Sequence, residues 1–90
     1  MNTAEIQSRH AQTPAWNLNE KSIEREFYFK NFIEAMSFVN RVAALAEAEN
    51  HHPDIHVFYN KVRLELTTHD SGGLSEKDFI LAARIDAINL

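Results

Sequence analysis

The sequence predicts a two-layer α+β domain, a four-stranded antiparallel sheet with helices packed on one face. Three observations lead to this fold class. Two pairs of short stretches alternate apolar and polar residues, as half-buried strands do. A longer stretch between them repeats its apolar residues every three or four positions, as an amphipathic helix does, and a second helical stretch ends the chain. The order is therefore β-β-α-β-β-α, which favours two layers around one core.

Length and composition allow one small domain and exclude several classes of protein. The chain has 90 residues and no cysteine, so disulfides and cysteine-containing zinc sites are excluded. No apolar run approaches the ~18 residues of a membrane span, and the polar N-terminus lacks the apolar segment of a signal peptide. We therefore expect a cytoplasmic protein with no membrane partner. With 9 Lys and Arg against 13 Asp and Glu, and no basic cluster, a nucleic-acid partner is disfavoured.

The N-terminal part of the chain predicts a lead-in followed by a hairpin. Residues 1–13 are expected to be flexible or partly helical, with a short helical turn around residues 4–9, and residues 14–90 form the single domain. A short edge strand over 14–18 and a strand over 22–30 alternate apolar and polar side chains across a three-residue turn. The apolar face of the second strand consists of Ile23, Phe27 and Phe29, interrupted by Arg25.

Residues 31–49 change to the helical period. The main apolar stripe consists of Phe32, Ala35, Met36, Val39, Val42, Ala43 and Ala46. Asn31 is expected to cap the helix, with Glu34 completing a variant of the capping box. Phe38 and Leu45 lie off the stripe, and two readings stay open for them. They pack on a second copy of the chain, which predicts helix-mediated self-association, or they form the margins of a broad core stripe.

The second hairpin is predicted to turn at Asn60 and Lys61, because apolar residues alternate on both sides of that pair. In this register Ile55 faces Leu66, and His52 faces His69. Lys61 is poorly suited to the positive φ of a tight turn, so a longer loop with a shifted register stays open. Pro53 is expected to end the preceding helix, since the residue before a proline is pushed out of the α region.

The last helix follows Gly72 and Gly73, which give the connector its backbone freedom. Ser75 is the expected N-cap, and Asp78 occupies the third helical position of a capping box.

The histidines His51, His52 and His69 are the best candidates for a functional site. Imidazole titrates near neutral pH, so a cluster of three can donate one proton and accept another. A polar surface cluster without function explains the same residues and stays open at this point. A metal site is disfavoured, because adjacent histidines tend to point apart and only Glu47 or Asp70 could add a carboxylate. Nucleophilic catalysis lacks a cysteine and a Gly-x-Ser-x-Gly elbow.

Three further residues have simpler structural explanations. His10 lies in the lead-in, and His56 alternates onto the polar face of its strand, where it meets solvent or Glu65. Trp16 is expected to be a core or rim aromatic.

The pattern Glu47-x₃-His51-His52-Pro53, followed by Tyr59, His69 and Asp78, resembles the signature of the pterin-4a-carbinolamine dehydratases. The segment from Thr68 to Ser75, Trp16 and the Phe27-x-Phe29 strand are also similar to that family. The resemblance spans about residues 14–88, and a pattern with this many points is far more specific than a short motif. The fold of the family, α+β with a four-stranded antiparallel sheet, agrees with the order read from periodicity.

The resemblance implies an enzyme and a substrate class. The reaction would be dehydration of 4a-hydroxytetrahydrobiopterin, or a related carbinolamine left by an aromatic amino-acid hydroxylase, to quinonoid dihydropterin and water. This would support tetrahydropterin recycling and needs no cofactor and no metal. The family also implies a homodimer or homotetramer. Some members act as dimerisation partners of transcription factors, so an interaction module is the alternative function.

The resemblance also implies roles for individual residues. His51, His52 and His69 would be catalytic, with His52 and His69 flanking the hydroxyl and His51 binding the ring or sharing the proton transfer. The pterin pocket would be shaped by Pro53, Thr68, Asp70 and Ser71. Glu47 and Asp78 would be structural, Glu47 as a residue that orients a neighbour and Asp78 as a helix cap. Ile55 and His56 stand where many relatives have an aromatic residue, which leaves that part of the pocket wall undefined.

Overall fold

The computed structural model describes residues 1–89, and in this range three helices cover one face of a four-stranded antiparallel sheet. The helices are α1 (Thr3–Gln12), α2 (Phe32–Glu49) and α3 (Glu76–Asp86); the strands are β1 (Asn17–Leu18), β2 (Ile23–Tyr28), β3 (Asp54–Phe58) and β4 (Lys61–Leu66), and a 3-10 turn spans His69–Ser71. The spatial order of the strands is β1-β2-β4-β3. This arrangement confirms the predicted fold class. None of the helices within residues 1–89 combines the length and the apolar character needed to cross a bilayer.

The lead-in forms a longer helix than the single turn expected around residues 4–9. Helix α1 has ten residues and begins with a capping box, in which the Asn2 side chain accepts a hydrogen bond from the Glu5 amide at 2.8 Å and the Glu5 carboxylate accepts one from the Asn2 amide at 3.0 Å. The helix packs on α3, where Arg9 pairs with Glu76 at 2.9 Å and Ile6 lies against the core. The element order is therefore α-β-β-α-β-β-α.

The predicted register of the second hairpin is wrong by two residues. Strands β3 and β4 pair Ile55 with Leu64 and Val57 with Val62, so the turn lies at Tyr59 and Asn60. Tyr59 takes the positive φ of 50° that Lys61 was poorly suited to adopt. A shift of two residues keeps each side chain on its predicted face but changes its partner. Continuing the observed register brings His52 level with Thr67 instead of His69.

Neighbouring contacts explain why the turn lies one residue earlier than predicted. The Asn60 side-chain amide donates to the Phe29 carbonyl at 3.1 Å, and the Asn60 carbonyl accepts from the Phe29 amide at 2.8 Å. The turn is therefore held to Phe29, the residue that follows β2. The alternation of apolar residues within the hairpin cannot predict this contact, because Phe29 lies in a distant segment.

Phe38 belongs to the core of its own chain. Only 4% of its surface is exposed, and its ring centroid lies 4.6 Å from that of Phe27 and 5.0 Å from that of Phe29. Leu45 is partly buried against the same core. Of the two readings left open for these residues, the broad core stripe is the one that the structure supports, so Phe38 and Leu45 give no argument for self-association.

Arg25 interrupts the apolar face of β2 because it reaches the far end of α3. Its guanidinium donates to the Asp86 carboxylate at 2.6 Å, and the indole N–H of Trp16 donates to the same oxygen at 2.8 Å. Trp16 is only 1% exposed, which agrees with its expected place in the core. The charge of Arg25 is thus paired at the core boundary, and the pair ties β2 to α3.

The other face of the sheet is open and carries charged side chains in pairs. Lys61 lies 3.3 Å from Glu26, and Arg63 lies 3.2 Å from Glu24. Hydrogen bonds from Lys61 and Tyr28 hold the pKa of the Glu26 carboxyl below its ordinary value. This face therefore presents matched charges to solvent, while the apolar face is covered by the helices.

Truncating Phe38 should cost far more stability than truncating an exposed apolar residue of the same helix. Phe38→Ala removes a buried ring that packs on two others, and we expect the free energy of unfolding to fall by about 3–5 kcal/mol. Ile33, which is 75% exposed, is the matched control, and Ile33→Ala should change it by less than about 0.5 kcal/mol. Urea unfolding measures both values. Equal losses for the two variants would contradict the assignment of Phe38 to the core.

Candidate active site

The end of α2 directs the two adjacent histidines differently. Asn50 ends the helix in the left-handed conformation with φ of 51°, and the His51 amide donates back to the Ala46 carbonyl at 3.0 Å. The helix is therefore stopped before Pro53, by a left-handed cap that asparagine tolerates well. After this cap the His51 side chain is 11% exposed, whereas that of His52 is 58% exposed.

His51 is held by a buried carboxylate. Its Nε2 lies 2.5 Å from Asp78 Oδ1, and the Asp78 side chain is fully buried. The second carboxylate oxygen accepts hydrogen bonds from the Thr68 hydroxyl at 2.8 Å and from the Ser75 amide at 3.0 Å. Because an ionised carboxylate only accepts, the proton of a neutral His51 ring lies on Nε2 and the lone pair on Nδ1. The contact with Asp78 therefore fixes the orientation of the His51 ring.

Asp78 fulfils the predicted role of helix cap and has a second role that the sequence reading missed. It accepts from Ser75 in a capping box at the start of α3, and it also orients His51. The apolar periodicity of α3 could have revealed this second role. Asp78 precedes Leu81, Ala82 and Ile85 by three, four and seven positions, so it lies on the buried stripe of α3. A carboxylate on such a stripe needs polar partners, and histidine is one of the few available.

His52 is paired with Glu47 in a more open setting. Its Nε2 contacts Glu47 Oε2, and the Glu47 side chain is 76% exposed. Glu47 lies in the last turn of α2, so the helix end itself supplies the group that orients His52.

His69 lies in the 3-10 turn that follows β4, and it is exposed to solvent. The turn is closed by Gly72, whose φ of 70° is a left-handed conformation suited to glycine and whose amide donates to the His69 carbonyl at 3.0 Å. Thr68 and Gly73 exchange two backbone hydrogen bonds of 2.9 and 3.1 Å across the base of the turn. His69 therefore lies in a loop whose backbone is closed by hydrogen bonds.

The His69 side chain borders an open cavity of about 370 Å³. Its other lining residues come from the β1–β2 turn, the end of β4 and the loop after it: Lys21, Ser22, Glu65, Thr67, Gly72 and Gly73. His51 and His52, the other two histidines predicted to be catalytic, do not line this cavity. His51 therefore contacts Asp78, and His52 contacts Glu47. His69 instead lines a cavity that neither of the other two histidines reaches.

Four residues were expected to shape the pterin pocket, and their side chains have different surroundings. The Thr68 hydroxyl faces Asp78 and Ser75, and the Ser71 hydroxyl donates to backbone carbonyls of its own loop at 3.1 and 3.2 Å. Both side chains therefore stabilise the loop that carries His69. Asp70 is exposed beside His69, and Pro53 is half-buried next to His52.

The remaining histidines are placed by the fold. His10 contacts the Trp16 carbonyl through Nε2 at 2.6 Å, so it fixes α1 to the start of the sheet. His56 lies opposite Arg63 on the open face, as alternation predicted. Across residues 1–89, no three His, Asp or Glu side chains are grouped closely enough to hold a metal ion.

Comparison with known proteins gives one consistent family. A family model described as "Pterin 4 alpha carbinolamine dehydratase" matches residues 1–88. A protein of Chloroflexus aurantiacus named "Putative pterin-4-alpha-carbinolamine dehydratase" is 57% identical over 88 residues, which cover 98% of this chain and 95% of that protein. A protein of the same name from Picosynechococcus sp. is 54% identical over 84 residues, covering 93% of this chain and 91% of the relative.

Two solved structures are similar in fold. The crystal structure of a transcriptional coactivator/pterin dehydratase from Brucella melitensis has a TM-score of 0.89 and 30% identity, and covers 97% of this chain and 95% of that one. A pterin dehydratase-like protein described as a RuBisCO assembly factor in the alpha-carboxysome has a TM-score of 0.65 and 26% identity, with 80% and 83% covered. These similarities confirm the resemblance that the histidine pattern carries.

Removing the buried carboxylate should destabilise the fold. Asp78→Ala leaves His51, Thr68 and the Ser75 amide without their acceptor, and we expect the free energy of unfolding to fall by about 2–3 kcal/mol. Asp70→Ala is the matched control, because Asp70 is exposed in the adjoining loop, and it should change this free energy by less than about 0.5 kcal/mol. Chemical denaturation distinguishes the two. An Asp78→Ala protein as stable as the Asp70→Ala protein would refute the structural role of the network.

Proposed function

The chain belongs to the pterin 4 alpha carbinolamine dehydratase family, and on that premise we propose that it dehydrates 4a-hydroxytetrahydrobiopterin, or a closely related carbinolamine, to quinonoid dihydropterin and water. The observation that carries the proposal is the His51–Asp78 pair, a nearly buried imidazole held in one orientation by a buried carboxylate. A carboxylate partner that fixes the orientation and the tautomer of the imidazole recurs among histidines that transfer protons.

The reaction balances with proton transfers alone. The bond from C4a to the hydroxyl oxygen breaks, a proton joins the leaving hydroxyl to form water, and the N5 proton is removed as a double bond forms between N5 and C4a. Neither oxidation nor reduction occurs, so the chemistry requires one group that donates a proton and one that accepts it.

The surroundings of the histidines support a division of these tasks. His51 would accept the N5 proton, because its Nε2 is engaged by Asp78 and the lone pair of the neutral ring lies on Nδ1. His69 would donate to the leaving hydroxyl, since it is presented to an open cavity from a fixed loop. His52, held by Glu47, would contact the face of the pterin ring or share a proton. This differs from the family-based expectation, in which His52 flanked the hydroxyl.

The residues around the histidines would complete the pterin site. Pro53 would form an apolar wall beside His52, and Asp70 would present a carboxylate next to His69. Thr68 and Ser71 would act by fixing the loop, because their hydroxyls are already engaged within it. The substrate would come from an aromatic amino-acid hydroxylase, and its product would return to the tetrahydropterin pool, which makes the role one of recycling.

We also propose that the chain forms a homodimer or homotetramer. Large apolar side chains are exposed where β2 ends, α2 begins and the second hairpin turns: Tyr28, Phe32, Phe58 and Tyr59. A small chain gains by burying such residues against another copy.

A role as a protein-interaction module is the second candidate function. It is favoured by the relatives themselves, since one similar structure is described as a transcriptional coactivator/pterin dehydratase and another as a RuBisCO assembly factor. In this reading the exposed apolar side chains would contact a partner protein, and the histidines would contribute nothing to its binding. The two candidates differ in whether purified protein accelerates the dehydration.

Replacing the proposed proton-transfer groups should remove most of the catalysis. We expect His51→Ala and His69→Ala each to lower kcat/KM for the carbinolamine by about 10²–10⁴-fold, the usual contribution of a positioned acid or base. His56→Ala is the matched control, since His56 lies on the open face of the sheet opposite Arg63, and it should retain the parental rate. The decay of carbinolamine absorbance measures each rate.

The outcomes separate the candidate functions. His51→Ala and His69→Ala proteins as active as the parent would overturn the histidine mechanism. A parental protein that does not accelerate the dehydration at all would overturn the dehydratase proposal and leave the interaction role.

A further inference from the structure

We infer that Thr68 is a positioning residue for the proposed reaction, because its hydroxyl fixes Asp78, the carboxylate that holds His51. Through its backbone the same residue also fixes the loop that carries His69. The inference rests on the proposed dehydratase function, in which these two histidines transfer the protons. It assigns Thr68 a different role from the one that the family resemblance implied, which was to shape the pterin pocket.

The hydroxyl of Thr68 can donate only one proton, and Asp78 receives it. Thr68 Oγ1 lies 2.8 Å from Asp78 Oδ2 and 2.7 Å from the hydroxyl oxygen of Ser75. An ionised carboxylate accepts hydrogen bonds and donates none, so the Thr68 hydroxyl is the donor to Asp78. The Ser75 hydroxyl must then donate to Thr68. A chain of hydrogen bonds therefore runs from Ser75 through Thr68 to Asp78, and each bond in such a chain strengthens the next.

The two oxygens of the Asp78 carboxylate have separate partners. Oδ2 accepts from the Thr68 hydroxyl at 2.8 Å and from the Ser75 amide at 3.0 Å, while Oδ1 lies 2.5 Å from His51 Nε2. Two donors on Oδ2 fix the plane of the carboxylate, and this plane sets the direction from which Oδ1 meets His51. The Asp78 side chain is fully buried, so bulk solvent cannot replace a donor that is lost.

Thr68 also connects the two proposed proton-transfer groups. Its amide donates to the Gly73 carbonyl at 2.9 Å and its carbonyl accepts from the Gly73 amide at 3.1 Å, and His69 is the next residue in the chain. The side chain of Thr68 thus supports the partner of one imidazole, and its backbone closes the loop that carries the other. Reacting groups must be held within about 0.5 Å of the productive geometry, so a residue that fixes both supports affects the rate without contacting the substrate.

The same bonds leave the Thr68 hydroxyl without a proton for a ligand. Its proton is donated to Asp78 and one of its lone pairs accepts from Ser75, so only the second lone pair remains. The hydroxyl therefore acts on the rate through His51 and contributes little to substrate binding. Its removal should lower kcat and leave KM nearly unchanged, whereas the loss of a ground-state contact to the substrate would raise KM.

The test uses Thr68→Val, which replaces the hydroxyl with a methyl group and keeps the branched side chain. We expect kcat for the carbinolamine to fall about tenfold and KM to change less than about twofold, because one hydrogen bond to the carboxylate is lost. Thr68→Ser keeps the hydroxyl and should restore most of the parental kcat. Thr13→Val is the matched control, since Thr13 is also buried but its hydroxyl contacts the Arg9 carbonyl at 3.5 Å, and it should keep the parental kcat.

Ser75→Ala tests the first bond of the chain while the Thr68–Asp78 bond stays in place. It removes the hydroxyl that donates to Thr68, and kcat should fall about threefold at nearly unchanged KM.

A second readout follows His51 itself and needs no substrate. The proton between His51 Nε2 and Asp78 exchanges with water faster where the local structure opens more readily, and faster exchange broadens its NMR signal. This signal should be sharp in the parental, Thr68→Ser and Thr13→Val proteins and broadened in the Thr68→Val protein.

The outcomes separate this inference from the proposed function. A lower kcat at unchanged KM in Thr68→Val, restored in Thr68→Ser and accompanied by a broadened His51 signal, supports the positioning role. A raised KM at parental kcat assigns the hydroxyl to substrate binding and overturns the inference, as does an equal loss of kcat in Thr13→Val. A parent that does not dehydrate the carbinolamine overturns the proposed function and with it any role of Thr68 in that reaction, whereas the NMR comparison still decides whether Thr68 holds His51.

Discussion

The buried carboxylate of Asp78 joins three distant parts of the chain, and the candidate site depends on it. Its oxygens accept from His51 after α2, from Thr68 after β4 and from the amide of Ser75 at the start of α3. A carboxylate taken out of water without partners would be very costly, so each donor is needed to make its burial tolerable. The same contacts hold the end of α2, the loop with His69 and the first turn of α3 together at one end of the sheet.

This constraint gives two adjacent histidines different properties. His51 turns towards the interior and meets Asp78, while His52 remains exposed and meets Glu47. Pairs of titratable groups in contrasting surroundings are typical of sites that need one proton donor and one acceptor. The proposed mechanism uses this contrast, with His51 as the oriented acceptor and the exposed His69 as the donor. The left-handed cap at Asn50 ends α2 directly before both imidazoles, so it determines where the two histidines leave the helix.

Periodicity was sufficient to predict the layers of the fold, because each strand and helix has one apolar face. It failed where a contact between distant segments decides the outcome. The turn of the second hairpin is fixed by bonds between Asn60 and Phe29, and α1 is stabilised by a cap at Asn2 and by packing on α3. Phe38 was ambiguous because alternation cannot tell a broad core stripe from two separate surfaces. In the structure Phe27 and Phe29 pack against the Phe38 ring, which places Phe38 in the core.

The candidate site, like the fold, was predictable only where a local sequence pattern decides it. The histidines and Glu47 were recognisable from their pattern, whereas the Asp78–His51 contact depends on how α3 packs against the end of α2. The cavity bordered by Lys21 and Glu65 depends on a hydrogen bond between Thr67 and the β1–β2 turn. The register of the second hairpin alone does not predict this bond, because the turn belongs to the first hairpin. Local patterns therefore identify the candidate groups, while packing determines which of them are held by a partner and which face a cavity.

The most direct test of the central claim is a crystal structure of the protein with 7,8-dihydrobiopterin bound. In this complex we expect the C4a–N5 edge of the ring to lie within hydrogen-bond reach, about 3 Å, of His51 Nδ1 and the His69 ring, while Nε2 of His51 stays on Asp78. A pterin bound away from both imidazoles, or a His51 ring released from Asp78 in the complex, would contradict it.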